Sequence, residues 1–255
     1  MSFEAVRRRL RISRELPMGG PPQIKTKISA NPVNVETPPQ EGERILTDKR
    51  NQYLAPHFAA YHNSQKGKAF IVCGCGSSIK DYTDFTGFVV VGVNDIERIL
   101  TPDYLVVVNE YHSFTRERWP WVYKSDASVI FSQISHMPVE KQDRLVRLNL
   151  GTRSGCNLDD PNRIDFTNNS PYMAVIIAAM LGADKIGLVG VDFTPNHFFS
   201  NSGVHRLTSG IQQIDQEYSN LGKALLAKGV QIANLSQQSQ ISSWPKMSLN
   251  QFRVL

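Results

Sequence analysis

Ala69-Phe-Ile-Val-Cys-Gly-Cys-Gly-Ser-Ser78 is an apolar run that stops at two glycines and two hydroxyls. A run apolar at consecutive positions has no solvent face, so it reads as a strand buried on both sides, the pattern of a parallel sheet covered by helices. Gly87-Phe-Val-Val-Val-Gly92 and Asp103-Tyr-Leu-Val-Val-Val-Asn109 repeat the pattern, and weaker strands are expected at 128–131 and 144–148. A polar cap at Asn168-Asn-Ser, Pro171 at a first turn, an apolar stretch and an exit at Gly182 predict a helix. Lys185-Ile-Gly-Leu-Val-Gly-Val-Asp192 then reads as another buried strand. A helix with Ile211, Ile214, Tyr218, Leu221, Leu225 and Leu226 on one side leads to a last strand over 230–235. This alternation predicts an α/β fold, a Rossmann-like three-layer sandwich around a mainly parallel sheet.

Ligands of such sheets sit beyond the carboxyl ends of the strands, so the residues after each run are the candidates. They are polar: Gly74, Gly76, Ser77 and Ser78 after the first strand, Asn94 and Asp95 after the second, Asn109 and Glu110 after the third, and Asp192 after the sixth. The glycine loop can offer bare N–H groups to a phosphate or can simply be a tight turn. It is neither a complete Gly-x-Gly-x-x-Gly nor a Walker loop. Asn169 and Ser170, at the start of the long apolar helix, offer a second anion site or ordinary capping.

Ile71-Val-Cys-Gly-Cys-Gly-Ser-Ser-Ile79 resembles the Gly-x-Gly-x-Ser nucleotide loop of bacterial sialyltransferases of glycosyltransferase family 42. Gly92-Val-Asn94 is similar to their Asn-containing strand end. The block from Pro171-Tyr-Met through Leu181-Gly-Ala to Gly190-Val-Asp-Phe193 resembles their helix, strand and Asp-Phe ending nearly in register. The 6-hydroxymethylpterin diphosphokinase-like proteins share the glycine loop, a Pro-Asp strand start like Pro102-Asp103 and the Gly-x-Asp ending. The resemblance covers about residues 69 to 236. It implies a GT-A-like fold, a nucleotide-sugar donor held by Gly74, Gly76, Ser77 and Asn94, a phosphate contact from Tyr172, and a histidine general base. Two histidines compete for that role, His205 and His197. The loop wording departs from the family at Cys75 and Ser77.

The leading expectation is therefore a transferase moving a sugar from a nucleotide-activated donor to a hydroxyl acceptor. No Asp-x-Asp pair stands ready for Mg²⁺ or Mn²⁺, and the resemblance implies that no metal cofactor is required. A diphosphokinase would instead need ATP and Mg²⁺, with Asp95, Glu110 and Asp192 as ligands. A non-catalytic nucleotide-binding or structural module is the third reading.

Outside the body the composition changes. Residues 1–68 hold 12 Lys/Arg against 6 Asp/Glu, whereas the remainder holds 16 against 17, so the net charge of +5 comes from the front. Prolines and glycines across 18–45 predict an extended linker, which gives an organisation of 1–68 as arm and linker and 69–255 as transferase domain. Arg7, Arg8, Arg9, Arg11 and Arg14 surround a short amphipathic helix. Such an arm can be solvated, can make an oligomer contact, can act as a mitochondrial presequence, or can bind a polyanion. With the last of these the acceptor would be nucleic acid, such as hydroxylated DNA bases, or an acidic glycan. The start has no secretory signal pattern, and the longest nearly uncharged apolar run, 173–183, spans about half of a ~30 Å hydrocarbon layer. A cytoplasmic protein without a membrane span is expected, its three cysteines reduced.

Overall fold

The computed structural model describes residues 57–82, 84–134, 137–198, 200–201 and 210–255. The five arginines of the arm, the expected linker and His205 lie outside the described residues. Seven parallel strands form the main sheet: β1 (Lys68–Cys73), β2 (Val89–Val93), β3 (Tyr104–Val106), β4 (Val129–Ser132), β5 (Leu145–Arg147), β8 (Ala183–Val189) and β11 (Gln231–Asn234). Their spatial order is β11-β8-β1-β2-β3-β4-β5. A small parallel pair, β6 (Leu150–Arg153) and β7 (Ile164–Phe166), and an antiparallel pair, β9 (Asn196–His197) and β10 (Ser200–Asn201), stand beside it. The helices are α1 (Trp119–Tyr123), α2 (Ser170–Met180), α3 (Ile211–Ala227) and α4 (Leu249–Val254).

The period of two along each strand divides the core into two layers. Phe70, Val72, Val91, Val106 and Phe131 face α2 and α3, where they meet Ile176, Tyr218 and Leu221. Ile71, Cys73, Val90, Leu105 and Ile130 face the other way, toward the 3-10 turns after β1 and β2 and toward Phe252 of α4. The expected three-layer α/β sandwich is therefore present. Helix α2 is apolar on nearly every side because it is covered on nearly every side: of its eleven residues only Pro171 and Ala179 are not buried. Helix α3 buries only one stripe, Ile214, Tyr218, Leu221, Gly222 and Leu225, and its remaining face is wet.

Residues 57–67 pack on this body ahead of β1. Phe58 is fully buried and meets Phe131 edge-on at 5.3 Å, and Gly67 N–H donates to Gly182 O at 2.9 Å. Among the described residues no helix is long and apolar enough to cross a membrane. Cys73, Cys75 and Cys156 are not joined in disulfides.

Candidate functional site

From β1 the chain steps outward through β2 to β5 on one side, then returns to lay β8 and β11 on the other. The strand order therefore reverses between β1 and β8, and sheets of this kind hold their crevice beyond the carboxyl ends at such a reversal. A cleft of about 210 Å³ occupies that position. Its floor is Cys75 and Gly76 after β1 with Gly190 to Thr194 after β8; its walls are Asn94, Asn109 and Arg118 on one side and the start of α2, Asn168 to Pro171, on the other. Of the candidate residues read from the sequence, Gly76, Asn94, Asn109, Asn169, Ser170 and Asp192 line this cleft.

The glycine loop is tight for a reason the sequence did not disclose. Gly76 N–H donates to Gly190 O at 2.7 Å, and a Cβ on Gly76 would stand 2.5 Å from Asp192 Oδ2 and 2.7 Å from the Gly190 oxygen. Gly74 presses on the same Gly190 carbonyl. Gly190 itself has φ +68°, a conformation L side chains rarely adopt. The two loops are therefore clasped backbone to backbone, with Gly74 buried in the clasp and outside the cleft lining. Gly76→Ala is expected to destabilise the protein by about 1–3 kcal/mol, the usual cost of overpacking. Urea unfolding of both proteins measures it, and an unchanged midpoint would remove this account of the loop.

Ser78 holds the clasp from beneath. Its N–H and Oγ donate to Asp192 at 2.9 and 2.6 Å, its Oγ lies 2.6 Å from Ser236 Oγ, and it accepts from Gly190 N–H at 3.1 Å. Gln238 Nε2 donates to Asp192 Oδ2 at 3.1 Å and to Ser77 Oγ at 2.9 Å. Ser78 is 2% exposed and does not line the cleft, so its expected donor contact is replaced by a structural one. Asp192 lines the floor with a carboxylate already committed to the loop.

Asn94 stands at the exit of β2 with φ +54°, a left-handed backbone for which asparagine is among the favoured residues. Its Oδ1 is buried without a hydrogen-bond partner among the described residues, an acceptor suited to a ligand N–H or O–H. Asp95, its neighbour, is wholly buried and faces Arg118, accepting from Nε at 3.0 Å and Nη2 at 2.5 Å on Oδ1. Asp95 therefore does not reach the cleft as a donor ligand; Arg118 does. Burial works against the Arg118 charge, but the hydrogen bond and attraction of Asp95 outweigh it and hold the guanidinium pKa above its ordinary value. Burial pushes the Cys75 thiol well up, and Asp95 pushes it further, so Cys75 lines the cleft as a neutral thiol.

Tyr172 is displaced from its expected role. It is fully buried, crosses Tyr218 edge-on at 5.6 Å, and donates its hydroxyl to Gly155 O at 2.9 Å. Burial raises its pKa strongly, and Tyr172 is not among the residues that line the cleft. Glu110 is exposed and outside the cleft lining. His197 belongs to β9, and the next residue, Phe198, donates its N–H to Cys75 O at 3.0 Å, which ties this short pair to the glycine loop. Nothing in the sequence around Arg118 marks it, because it follows no apolar run and meets Asp95 only in the folded chain.

No family model matches the chain, and no curated protein matches it. Among solved structures it is similar to the sialyltransferase CstII from Campylobacter jejuni in complex with the substrate analogue CMP-3FNeuAc, at 15% identity and a TM-score of 0.44, over 72% of this chain and 87% of that one. The complex of Cst-II with a trisaccharide acceptor and CMP gives 15% identity and a TM-score of 0.45 over the same shares.

Proposed function

We propose that the chain is a glycosyltransferase that takes a nucleotide-activated sugar and passes the sugar to a hydroxyl acceptor. The observation that carries this reading is the cleft at the strand-order reversal, where Asn94 Oδ1 lacks a partner and the start of α2 meets the same space. An orphaned acceptor suits a ribose hydroxyl or a base amino group, and helix N–H groups suit a phosphate. The sequence resemblance at the glycine loop, Gly92-Val-Asn94 and the Pro171 to Phe193 block supports the same donor class. In the reaction the acceptor hydroxyl attacks the anomeric carbon, the bond from that carbon to the phosphate oxygen breaks, and the nucleotide leaves with the electron pair. His205 or His197 takes the hydroxyl proton.

The reading needs no metal cofactor. The three carboxylates that a diphosphokinase would offer to Mg²⁺ are otherwise disposed: Asp95 is engaged by Arg118, Asp192 by Ser78 and Gln238, and Glu110 stands outside the cleft. The arginine-rich arm supports a polyanionic acceptor, nucleic acid or acidic glycan, because it carries the chain's excess charge.

The test is thermal melting and nucleotide release with CMP-, UDP- and GDP-linked sugars and with ATP, each in EDTA and in Mg²⁺. One nucleotide-sugar class should raise the melting temperature in EDTA, since a ligand at 100 times its Kd stabilises by about 2.7 kcal/mol. A shift by ATP in Mg²⁺ alone would favour the diphosphokinase. Binding without release, with every acceptor offered, would favour the non-catalytic module, and no shift by any compound would sink all three.

A further inference from the structure

The geometry points to Arg118 as the anion contact of the cleft, with buried Asp95 as its positioning residue and a phosphoryl group as the ligand. The inference deepens the nucleotide reading above and rests on it for the rest of the ligand. Arg118 immediately precedes α1, yet it is one of the residues that line the cleft, with its side chain 23% exposed. Its orientation is fixed twice. The Nε and Nη2 edge is held on one oxygen of Asp95, and the guanidinium carbon lies 5.3 Å from the centre of the Phe114 ring. A planar fork held in this way has already given up its rotamer freedom before a ligand arrives.

Charge favours an anion at this wall. Asp95 also faces Arg98, at 3.8 Å, so one buried carboxylate is shared by two guanidinium groups and the trio keeps a surplus of one positive charge. The start of α2 faces the same cleft and adds the partial positive charge of a helix N-terminus. Asp192, the carboxylate on the floor, is turned to Ser78 and Gln238. Tyr172, the phosphate contact implied by the sequence resemblance, is committed to Gly155 in the core, and Arg118 is the cleft cation that can take over its task. A guanidinium makes charge-assisted hydrogen bonds to phosphate oxygens, and on departure of a nucleotide the phosphate gains the charge such a group stabilises.

Calorimetry on the full chain tests this with two kinds of probe: inorganic pyrophosphate, and the pairs cytidine and CMP, uridine and UMP, guanosine and GMP, adenosine and AMP. Wild type should bind pyrophosphate, more tightly at low salt, and Arg118→Gln should weaken it about 10- to 100-fold. Arg118→Gln should also erase most of the gap between a nucleotide and its nucleoside while leaving the nucleoside itself bound. Because Arg118→Gln leaves Asp95 without its main partner, the double variant Arg118→Gln with Asp95→Asn repeats the measurement without an uncompensated buried charge. Asp95→Asn alone separates positioning from plain electrostatics: it raises the local positive charge, so a bystander carboxylate predicts tighter pyrophosphate binding, whereas a positioning residue predicts weaker binding. Unchanged pyrophosphate affinity in Arg118→Gln or the double variant, or no pyrophosphate binding to wild type, overturns the inference. So does a phosphate gap that survives in either variant, and in that case the nucleotide reading stands. Pyrophosphate binding that depends on Arg118, with no nucleoside or nucleotide bound, keeps the anion site and ends the nucleotide reading.

Discussion

Replacing His205 by Asn is expected to lower turnover by about 10²- to 10⁴-fold while donor affinity stays within a few-fold of wild type, the signature of a lost general base. A histidine near its ordinary pKa of about 6.5 accepts a proton only when neutral. The wild-type rate should therefore fall as pH drops through roughly 6 to 7, and the residual rate of the variant should lose that dependence. His205 lies outside the described residues, so the expectation rests on its place in the sequence between the Asp192 strand end and the helix at Ile211. His197 is the competing base, in a short strand tied through Phe198 to the glycine loop. Turnover lost in His197→Asn and kept in His205→Asn would reverse the choice. Turnover kept in both would end the histidine mechanism and make Glu110 or Asp192 the next candidate.

Asp192→Ala is expected to cost about 2–4 kcal/mol of stability and to lower the melting temperature by roughly 5–15 °C in the absence of any ligand. Asp192 is 2% exposed and accepts three hydrogen bonds, two from Ser78 and one from Gln238. Its removal leaves the Ser78 N–H without its acceptor inside the protein and frees the loop after β1 from the loop after β8. Hydrogen bonds to a buried carboxylate are worth about 1.5–3 kcal/mol each, and three on one group add to less than their sum. A residue acting only as base or metal ligand would give the opposite result, a normal melt with lost activity. Ligand-free calorimetric melts of the two proteins decide between them.

The main strands were legible because burial on both faces leaves an unbroken apolar run, and β1, β2 and β8 are of that kind. Helix α2 was legible through Pro171 and Gly182, which bracket it chemically. The β6 and β7 pair was not, because Leu150–Arg153 and Ile164–Phe166 are short, and β6 is only partly covered, with no apolar run to announce it. At the site, composition could nominate Asn94 and Asn109 because strand ends are few. It could not tell a ligand from an anchor: Asp95, Ser78 and Tyr172 each carry a polar group suited to a substrate, and each spends it on the protein. Arg118 was hidden for the converse reason, since only the fold brings it back across 23 positions to Asp95.

The strand order also fixes a timetable for synthesis. β1 to β5 are laid side by side in the order in which they are translated, but β1 meets its other neighbour only when Ala183–Val189 has been made. At 5–20 residues per second that interval is on the order of ten seconds. Throughout it the nascent chain carries an apolar strand with one open edge, the kind of surface on which growing chains join each other. The late arrival of β8 closes that edge and, in the same movement, gives the cleft its floor.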